Sequence, residues 1–142
     1  MKKYSAWLKT AAIIQFITAI IHAATLFVSS TPNNETEAKL FSLMDTYKFD
    51  FGAGFHRTMN DLTLALSSCF CLVCLLGGLL SWYLIQKKLD ATIMKGVVNI
   101  NLLVFGICLV IVSIFAFWLP IIQVGLIVLF LILARLSIGK GS

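Results

Sequence analysis

The chain has 142 residues, of which 60% are hydrophobic and only 12% are charged, and its mean hydropathy is +0.99. Soluble globular domains carry about 25% charged residues, so this composition excludes an ordinary water-soluble domain and predicts one integral membrane domain. The formal net charge of +5 does not indicate nucleic-acid binding. The Lys and Arg residues are dispersed between apolar runs, as in membrane proteins, and do not cluster with aromatic residues on one face.

The first apolar run covers residues 6–28 and follows a basic N-terminus. It has the roughly 20 residues that a spanning helix needs. A cleaved signal peptide is the alternative, although the run is long for one and contains polar residues. Several of those residues are three or four positions apart and so share a helical face: Gln15, Thr18, His22 and Thr25. Lipid cannot hydrogen-bond such a face, so we expect it to face other helices.

An outer loop, residues 29–57, is expected to connect the first two spans. Its start is turn-rich, and the pattern of Leu and aromatic residues over 35–47 predicts a short amphipathic helix. Asn34 and Glu37 have the spacing of its N-terminal capping box. This helix is too short to span, so we expect it to lie at the interface and cap the mouth of the bundle. Gly52 and Gly54 then permit a sharp turn.

Three further spans are predicted, at residues 58–84, 97–117 and 121–136. The second span has a seam of small and polar residues, expected to pack closely against other helices: His56, Asn60, Thr63, Ser67, Cys71, Cys74 and Gly78. In the third span, Asn99, Gly106 and Ser113 predict a similar seam. The fourth span is almost wholly apolar. Residues 118–120 are expected to form the tight turn before it, with Pro120 well placed as the first residue of the helix.

The distribution of cations predicts the orientation. With four spans, eight cations lie on the side of both termini: Lys2, Lys3, Lys9, Lys87, Lys88, Lys95, Arg135 and Lys140. Three lie on the other side: Lys39, Lys48 and Arg57. The positive-inside rule therefore places both termini in the cytoplasm and the outer loop outside the cell membrane.

The candidate site is the polar window from Asp45 to Asp61, which follows the predicted outer helix. His22 should lie about 9 Å below the outer end of the first span, at 1.5 Å per residue. We expect it to meet the window in an outward-opening pocket, with these ligand-binding candidates: His22, Asp50, His56, Arg57, Asn60 and Asp61. The alternatives are a neutral His22 bonded to a neighbouring helix, and an Arg57–Asp61 pair that only stabilises a helix start.

Other chemistries have little support in the sequence. Its histidines and acids lack the spacing of a metal site, and no nucleophile elbow, phosphate loop or cofactor motif is present. The cysteines at 69, 71, 74 and 108 fall in predicted spans. There they are expected to act as small apolar residues, with a membrane disulfide oxidoreductase as the lesser alternative.

Three segments together carry a family resemblance: His22 in the first span, the sequence Met-Asp-Thr-Tyr-Lys-Phe-Asp over 44–50, and Arg-Thr-Met-Asn-Asp over 57–61. The chain resembles uncharacterised bacterial four-helix integral membrane proteins that are broadly DoxX-like in layout. The resemblance implies an all-α bundle of four spanning helices in a bacterial inner membrane. It implies no particular activity.

The functional prediction is a membrane protein that binds a lipid or a small hydrophobic molecule in the outward-opening pocket. One alternative is an accessory subunit that packs its last helix and outer loop against a membrane-protein partner; self-association is also open. Another is an enzyme acting on a lipid or quinone, with His56 or Asp50 as the acid–base group. Whether the protein is an enzyme is left open by these residues.

Overall fold

The computed structural model describes residues 3–28, 31–87 and 89–138, apart from the Lys3 side chain. Three cations in the charge count, Lys2, Lys88 and Lys140, lie outside the described residues. Parts of the predicted turn at 29–34 and of the loop that follows the second span lie outside them as well.

Of the residues that the structure describes, 81% are helical. In chain order the described elements are α1 Lys3–Thr25, α2 Glu35–Thr46, β1 Lys48–Asp50, β2 His56–Thr58, α3 Met59–Gln86, α4 Ala91–Phe115 and α5 Trp118–Ser137. Four helices, α1, α3, α4 and α5, are long and apolar enough to cross a membrane. The prediction of an all-α chain with four apolar helices of spanning length is therefore confirmed, and the chain has the character of a membrane protein.

The short helix α2 begins at a side-chain cap. Asn34 Oδ1 accepts a hydrogen bond from the backbone N–H of Glu37 at 2.9 Å, which confirms the predicted N-terminal cap. The Glu37 carboxylate accepts from the backbone N–H of Asn33 at 2.7 Å, so the reciprocal bond reaches one residue further back than a standard capping box. No residue of α2 is buried.

The helix α4 begins at Ala91, earlier than the predicted start of the third span at residue 97. Asp90 Oδ2 accepts a hydrogen bond from the backbone N–H of Thr92 at 2.9 Å and so caps the helix. This bond favours the ionised carboxylate and lowers the pKa of Asp90. The start of α4 was predicted too late because hydropathy identifies only the apolar part of a helix. Here the cap at Asp90 begins the helix in the more polar sequence before that part.

The break between α4 and α5 falls at Ala116 and Phe117, not at the predicted turn of residues 118–120. Both residues have extended backbone, with ψ of 176° and 178°. Pro120 is therefore the third residue of α5, and its predicted position as the first residue is wrong. Proline is tolerated there because the first four N–H groups of a helix have no acceptor within it.

The outer loop contains a small β-hairpin that was not predicted. Strands β1 and β2 are antiparallel, with Phe49 opposite Arg57 and Asp50 opposite His56. Gly52 and Gly54 have φ of +79° and +81°, as the predicted sharp turn requires. Three-residue strands are too short to show an alternating pattern in the sequence. Only the two glycines indicated that the chain turns here.

The chain divides into two compact units, the first comprising residues 1–19 and 73–142. Its buried apolar side chains come from all four long helices: Leu8, Ala11, Ala12, Cys74, Met94, Val98, Phe105, Val124, Ile127, Leu131 and Ala134. Gln15 is also fully buried. A Cβ at Gly77 would lie 2.8 Å from Gln15 Nε2, and a Cβ at Gly78 would lie 2.9 Å from the Phe16 ring. Close helix packing thus depends on these glycines.

The predicted seams are only partly correct. Cys71, Cys74 and Gly78 of α3 are buried, whereas the first part of that seam, up to Thr63, is exposed. On α4 the predicted seam is also only partly correct. Asn99 Oδ1 accepts a hydrogen bond from Arg135 Nε of α5 at 2.6 Å. The buried face carries Met94, Val98, Asn101 and Phe105, and a Cβ at Gly106 would meet nothing within 4 Å. Gly106 and Ser113 therefore lie outside the buried face.

Candidate functional site

The second compact unit, residues 20–72, contains a cavity of about 550 Å³ at the end of α1 and the start of α3. The helix α2 lies beside it. The lining residues come from three segments: Thr25, Leu26, Phe27 and Val28 at the end of α1 and beyond it, Phe41, Met44 and Asp45 on α2, and Asn60, Asp61, Thr63 and Leu64 on α3. The cavity is thus built by two of the apolar helices and by the short helix between them.

The apolar wall is formed largely by α2 and by the residues that follow α1. Phe41 and Met44 are three positions apart, so they share a face of α2, and both are half-buried. Leu40 and Leu43 are 52% and 59% exposed. The predicted amphipathic pattern of this helix contained five residues: Leu40, Phe41, Leu43, Met44 and Tyr47. In the structure only Phe41 and Met44 line the cavity.

The polar wall joins α2 to α3. The side-chain amide of Asn60 donates a hydrogen bond to Asp45 Oδ1, a contact between residues far apart in sequence. Asp45 lay within the polar window but was not among the predicted site residues. Its signal was its spacing of four residues from Phe41, which places the two side chains on the same side of α2.

Asp61 is held on the same wall by the start of α3. Its Oδ2 accepts a hydrogen bond from the backbone N–H of Thr58 at 2.9 Å, and its own N–H donates to Thr58 Oγ1 at 3.1 Å. These reciprocal bonds are a capping box, with Asp in place of the usual Glu or Gln. The carboxylate therefore stabilises the helix start and is oriented by it.

Arg57 lies outside the main cavity. The expectation that Arg57 and Asp61 share a helical face is wrong, because Arg57 belongs to β2 and α3 begins only at Met59. Its Nη1 donates to the backbone carbonyl of His56 at 2.8 Å, and its guanidinium lies 5.9 Å from the centre of the Phe55 ring. Arg57 and Asp61 do border a smaller cavity of about 250 Å³.

The remaining predicted residues are elsewhere in this unit. His22 is half-buried on α1, one turn before the cavity, with its ring 5.1 Å from that of Phe70 in an edge-on arrangement. Asp50 and His56 face each other across the hairpin, outside the cavity lining. Asp50 Oδ1 accepts from the N–H of Gly52 at 2.8 Å, which stabilises the turn.

The structure therefore brings together two of the six predicted site residues, Asn60 and Asp61, and adds Asp45. The acid–base groups named for an enzyme, His56 and Asp50, are both exposed on the hairpin. In residues 3–28, 31–87 and 89–138, no group of three or more His, Cys, Asp or Glu side chains is placed to hold a metal ion.

Comparisons with known proteins do not extend this description. No protein-family model matches the chain, and neither the curated proteins nor the solved structures contain a match to it. The resemblance to DoxX-like membrane proteins remains a prediction, and the function has to be inferred from the cavity.

Proposed function

We propose that this protein binds a lipid or a small hydrophobic molecule in the cavity formed by α1, α2 and α3. The observation that carries the proposal is the division of the cavity lining into an apolar wall, with Phe41 and Met44, and a polar wall, with Asp45, Asn60 and Asp61. An amphiphile likewise has one apolar part and one polar part, which would contact the matching walls. A volume of about 550 Å³ is within the range of about 300–1,000 Å³ typical of small-molecule sites.

The proposal includes a membrane arrangement. The four long helices form a bundle across a bacterial inner membrane, both termini are cytoplasmic, and α2 lies at the outer interface. The excess of cations on the side of the termini supports this orientation. The exposure of Leu40 and Leu43 on α2, at 52% and 59%, fits a helix that rests on the headgroup region. The cavity then opens outward.

A binding titration with a matched pair of variants tests the proposal. The purified protein in dodecyl maltoside is titrated with octanol by isothermal calorimetry. Met44→Ala removes half-buried cavity wall, and we expect it to weaken octanol binding about fivefold, since burial of a Met side chain is worth on the order of 1–2 kcal/mol. Leu43→Ala, on the exposed face, should leave the affinity unchanged. Equal affinities for both variants and the wild type would contradict the proposal.

A second candidate function has a specific observation in its favour. Gly106 and Ser113 lie outside the buried face of α4, and a Cβ at Gly106 would meet nothing within 4 Å. Small and polar residues favour helix–helix association in lipid. The sequence assigned docking of an accessory subunit to the last helix and the outer loop, whereas this part of α4 favours a different version, in which α4 docks on a membrane-protein partner or on a second copy. Gly106→Leu should abolish that association in mild detergent while the isolated chain remains folded.

A further inference from the structure

We propose that the polar end of the molecule bound in the cavity is a cation, specifically an alkylammonium group. This inference rests on the proposed binding function and narrows it to a ligand class. The ammonium group would lie between the carboxylates of Asp45 and Asp61, with its hydrocarbon part against the apolar wall. The shared chemistry is that of an amine-bearing lipid headgroup or of a free amphiphilic amine.

The first step is the charge of the cavity. Its described lining contains two carboxylates, Asp45 and Asp61, and no Lys or Arg. The partner of Asp45 is the neutral amide of Asn60, and the Asp61 carboxylate accepts from the neutral backbone N–H of Thr58. The positive charges of Arg57 and Lys48 act on Asp61 more weakly than its Thr58 hydrogen bonds do, and neither cation lines the cavity. Neutral donors orient a carboxylate but leave its negative charge in place. The cavity therefore attracts a cation at its polar wall.

The second step concerns Arg57, the one cation among the predicted ligand-binding residues, apart from the two histidines. It borders the neighbouring smaller cavity with Asp61, and its guanidinium contacts the His56 carbonyl and the Phe55 ring. It is absent from the lining of the larger cavity described here. An anionic headgroup in that cavity would meet two carboxylates before it met a cation, so an anion is disfavoured.

The third step is the capacity to bind. A carboxylate has about four acceptor sites on its two oxygens. The hydrogen bonds among the described residues engage Oδ1 of Asp45 and Oδ2 of Asp61, so acceptor capacity remains on both side chains. Charge-assisted N–H bonds to carboxylates are about twice as strong as neutral ones. An ammonium group that carries N–H donors would use this capacity directly.

The fourth step distinguishes an organic cation from a metal ion. Calcium requires six to eight oxygen ligands and magnesium near-octahedral oxygen coordination, whereas much of this lining is hydrocarbon. Phe27 and Phe41 also line the cavity, and Phe27 is 88% exposed, so its ring face is accessible. Aromatic rings and carboxylates together are the groups that recognise quaternary and primary ammonium ions. The cavity therefore fits an alkylammonium better than a bare cation.

The test uses three probes with the same tail and different charge: octylammonium, octanol and octanoate. Each is titrated calorimetrically into the full-length protein in dodecyl maltoside. We expect the ammonium probe to bind about tenfold more tightly than octanol, and octanoate more weakly than octanol.

Two charge-neutralising variants test whether the preference for the cationic probe comes from Asp45 and Asp61. Asp45→Asn and Asp61→Asn each keep a side-chain oxygen that can accept from Asn60 and from the Thr58 N–H. Each should lower the affinity for octylammonium about three- to tenfold and leave octanol binding unchanged. Asp50→Asn, on the exposed hairpin, is the matched control and should change neither affinity. Circular dichroism of every variant checks that the helices are retained.

The outcomes separate the two proposals. If octanol and octylammonium bind equally, and the Asp variants do not distinguish them, the cation inference is overturned while the binding function stands. If no probe binds, both fail. Competition by phosphatidylethanolamine in nanodiscs, with phosphatidylglycerol as the control lipid, would assign the cation to a lipid headgroup. Ammonium binding that phosphatidylethanolamine does not compete would assign it to a free amine.

Discussion

Gly77 of α3 offers a quantitative test of the packing in the first compact unit. A Cβ added there would lie 2.8 Å from Gln15 Nε2, 3.0 Å from the Phe105 ring and 3.1 Å from Asn101 Oδ1. All three neighbours are buried, at 0%, 1% and 5% exposure. None can move into solvent, so Gly77→Ala forces them to shift within a packed core.

The expected magnitude follows from two opposing effects. Overpacking a core typically costs about 1–3 kcal/mol, and Ala gains up to about 1 kcal/mol over Gly in helix propensity. Gly106→Ala, where a Cβ meets nothing within 4 Å, measures the propensity gain alone. Unfolding free energies from SDS titration in mixed micelles should therefore place Gly77→Ala below Gly106→Ala by about 1–3 kcal/mol.

A double-mutant cycle identifies the source of the cost. Gln15→Ala removes the side chain closest to the new methyl group and leaves room for Phe105 and Asn101 to relax. The double variant Gln15→Ala, Gly77→Ala should be more stable than the sum of the single effects predicts, by about 1 kcal/mol. If Gly77→Ala and Gly106→Ala have the same stability, or if the effects are additive, the close approach of α3 to Gln15 is not as described.

Three further predictions concern the helix starts and the orientation. Thr58→Ala removes the hydroxyl of the α3 capping box and should lower the unfolding free energy by about 1 kcal/mol, measured by SDS titration, whereas Thr58→Ser should not. The N–H of Thr92 lowers the pKa of Asp90 below its ordinary value of 3.8. The stabilisation from this cap is therefore fully present above that value and is lost as the pH falls through the lower folded-state pKa. Acid unfolding of Asp90→Asn should lack this component, because Asn caps without titrating; an unchanged pH profile would contradict the assignment. In intact cells, a membrane-impermeant thiol reagent should label Lys48→Cys but not Lys87→Cys, and the reverse would place the cavity on the cytoplasmic side.

Much of the architecture was predictable because membrane insertion depends on composition over long segments. Each of the four apolar helices has a window of about 20 residues whose transfer into lipid is favourable whatever its neighbours are. The cap at Asn34 and the turn at Gly52 and Gly54 were also predictable, since their causes lie within a few residues. Local causes leave local signals in the sequence.

The faces of the helices were not predictable to the same degree. Spacing put Asn99, Gly106 and Ser113 on one side of α4, and that was geometrically correct. Which side of the helix is buried depends on what packs against it, and the buried side instead carries Val98 and Phe105. In a membrane protein both sides are apolar, so hydropathy does not distinguish the core-facing side from the lipid-facing side.

In the candidate site, too, some features were predictable from the sequence and others were not. From its own residues alone, this sequence determined four apolar helices, a capped short helix between the first two, and a polar window that contains Asn60 and Asp61. Only the tertiary structure decided that Asp45 joins Asn60, that Asp61 belongs to a helix cap, and that Arg57 does not line the larger cavity. The physical reason is the distance along the chain over which each effect acts. Hydropathy and capping depend on residues within one segment, whereas a cavity forms only where segments distant in the chain are brought together.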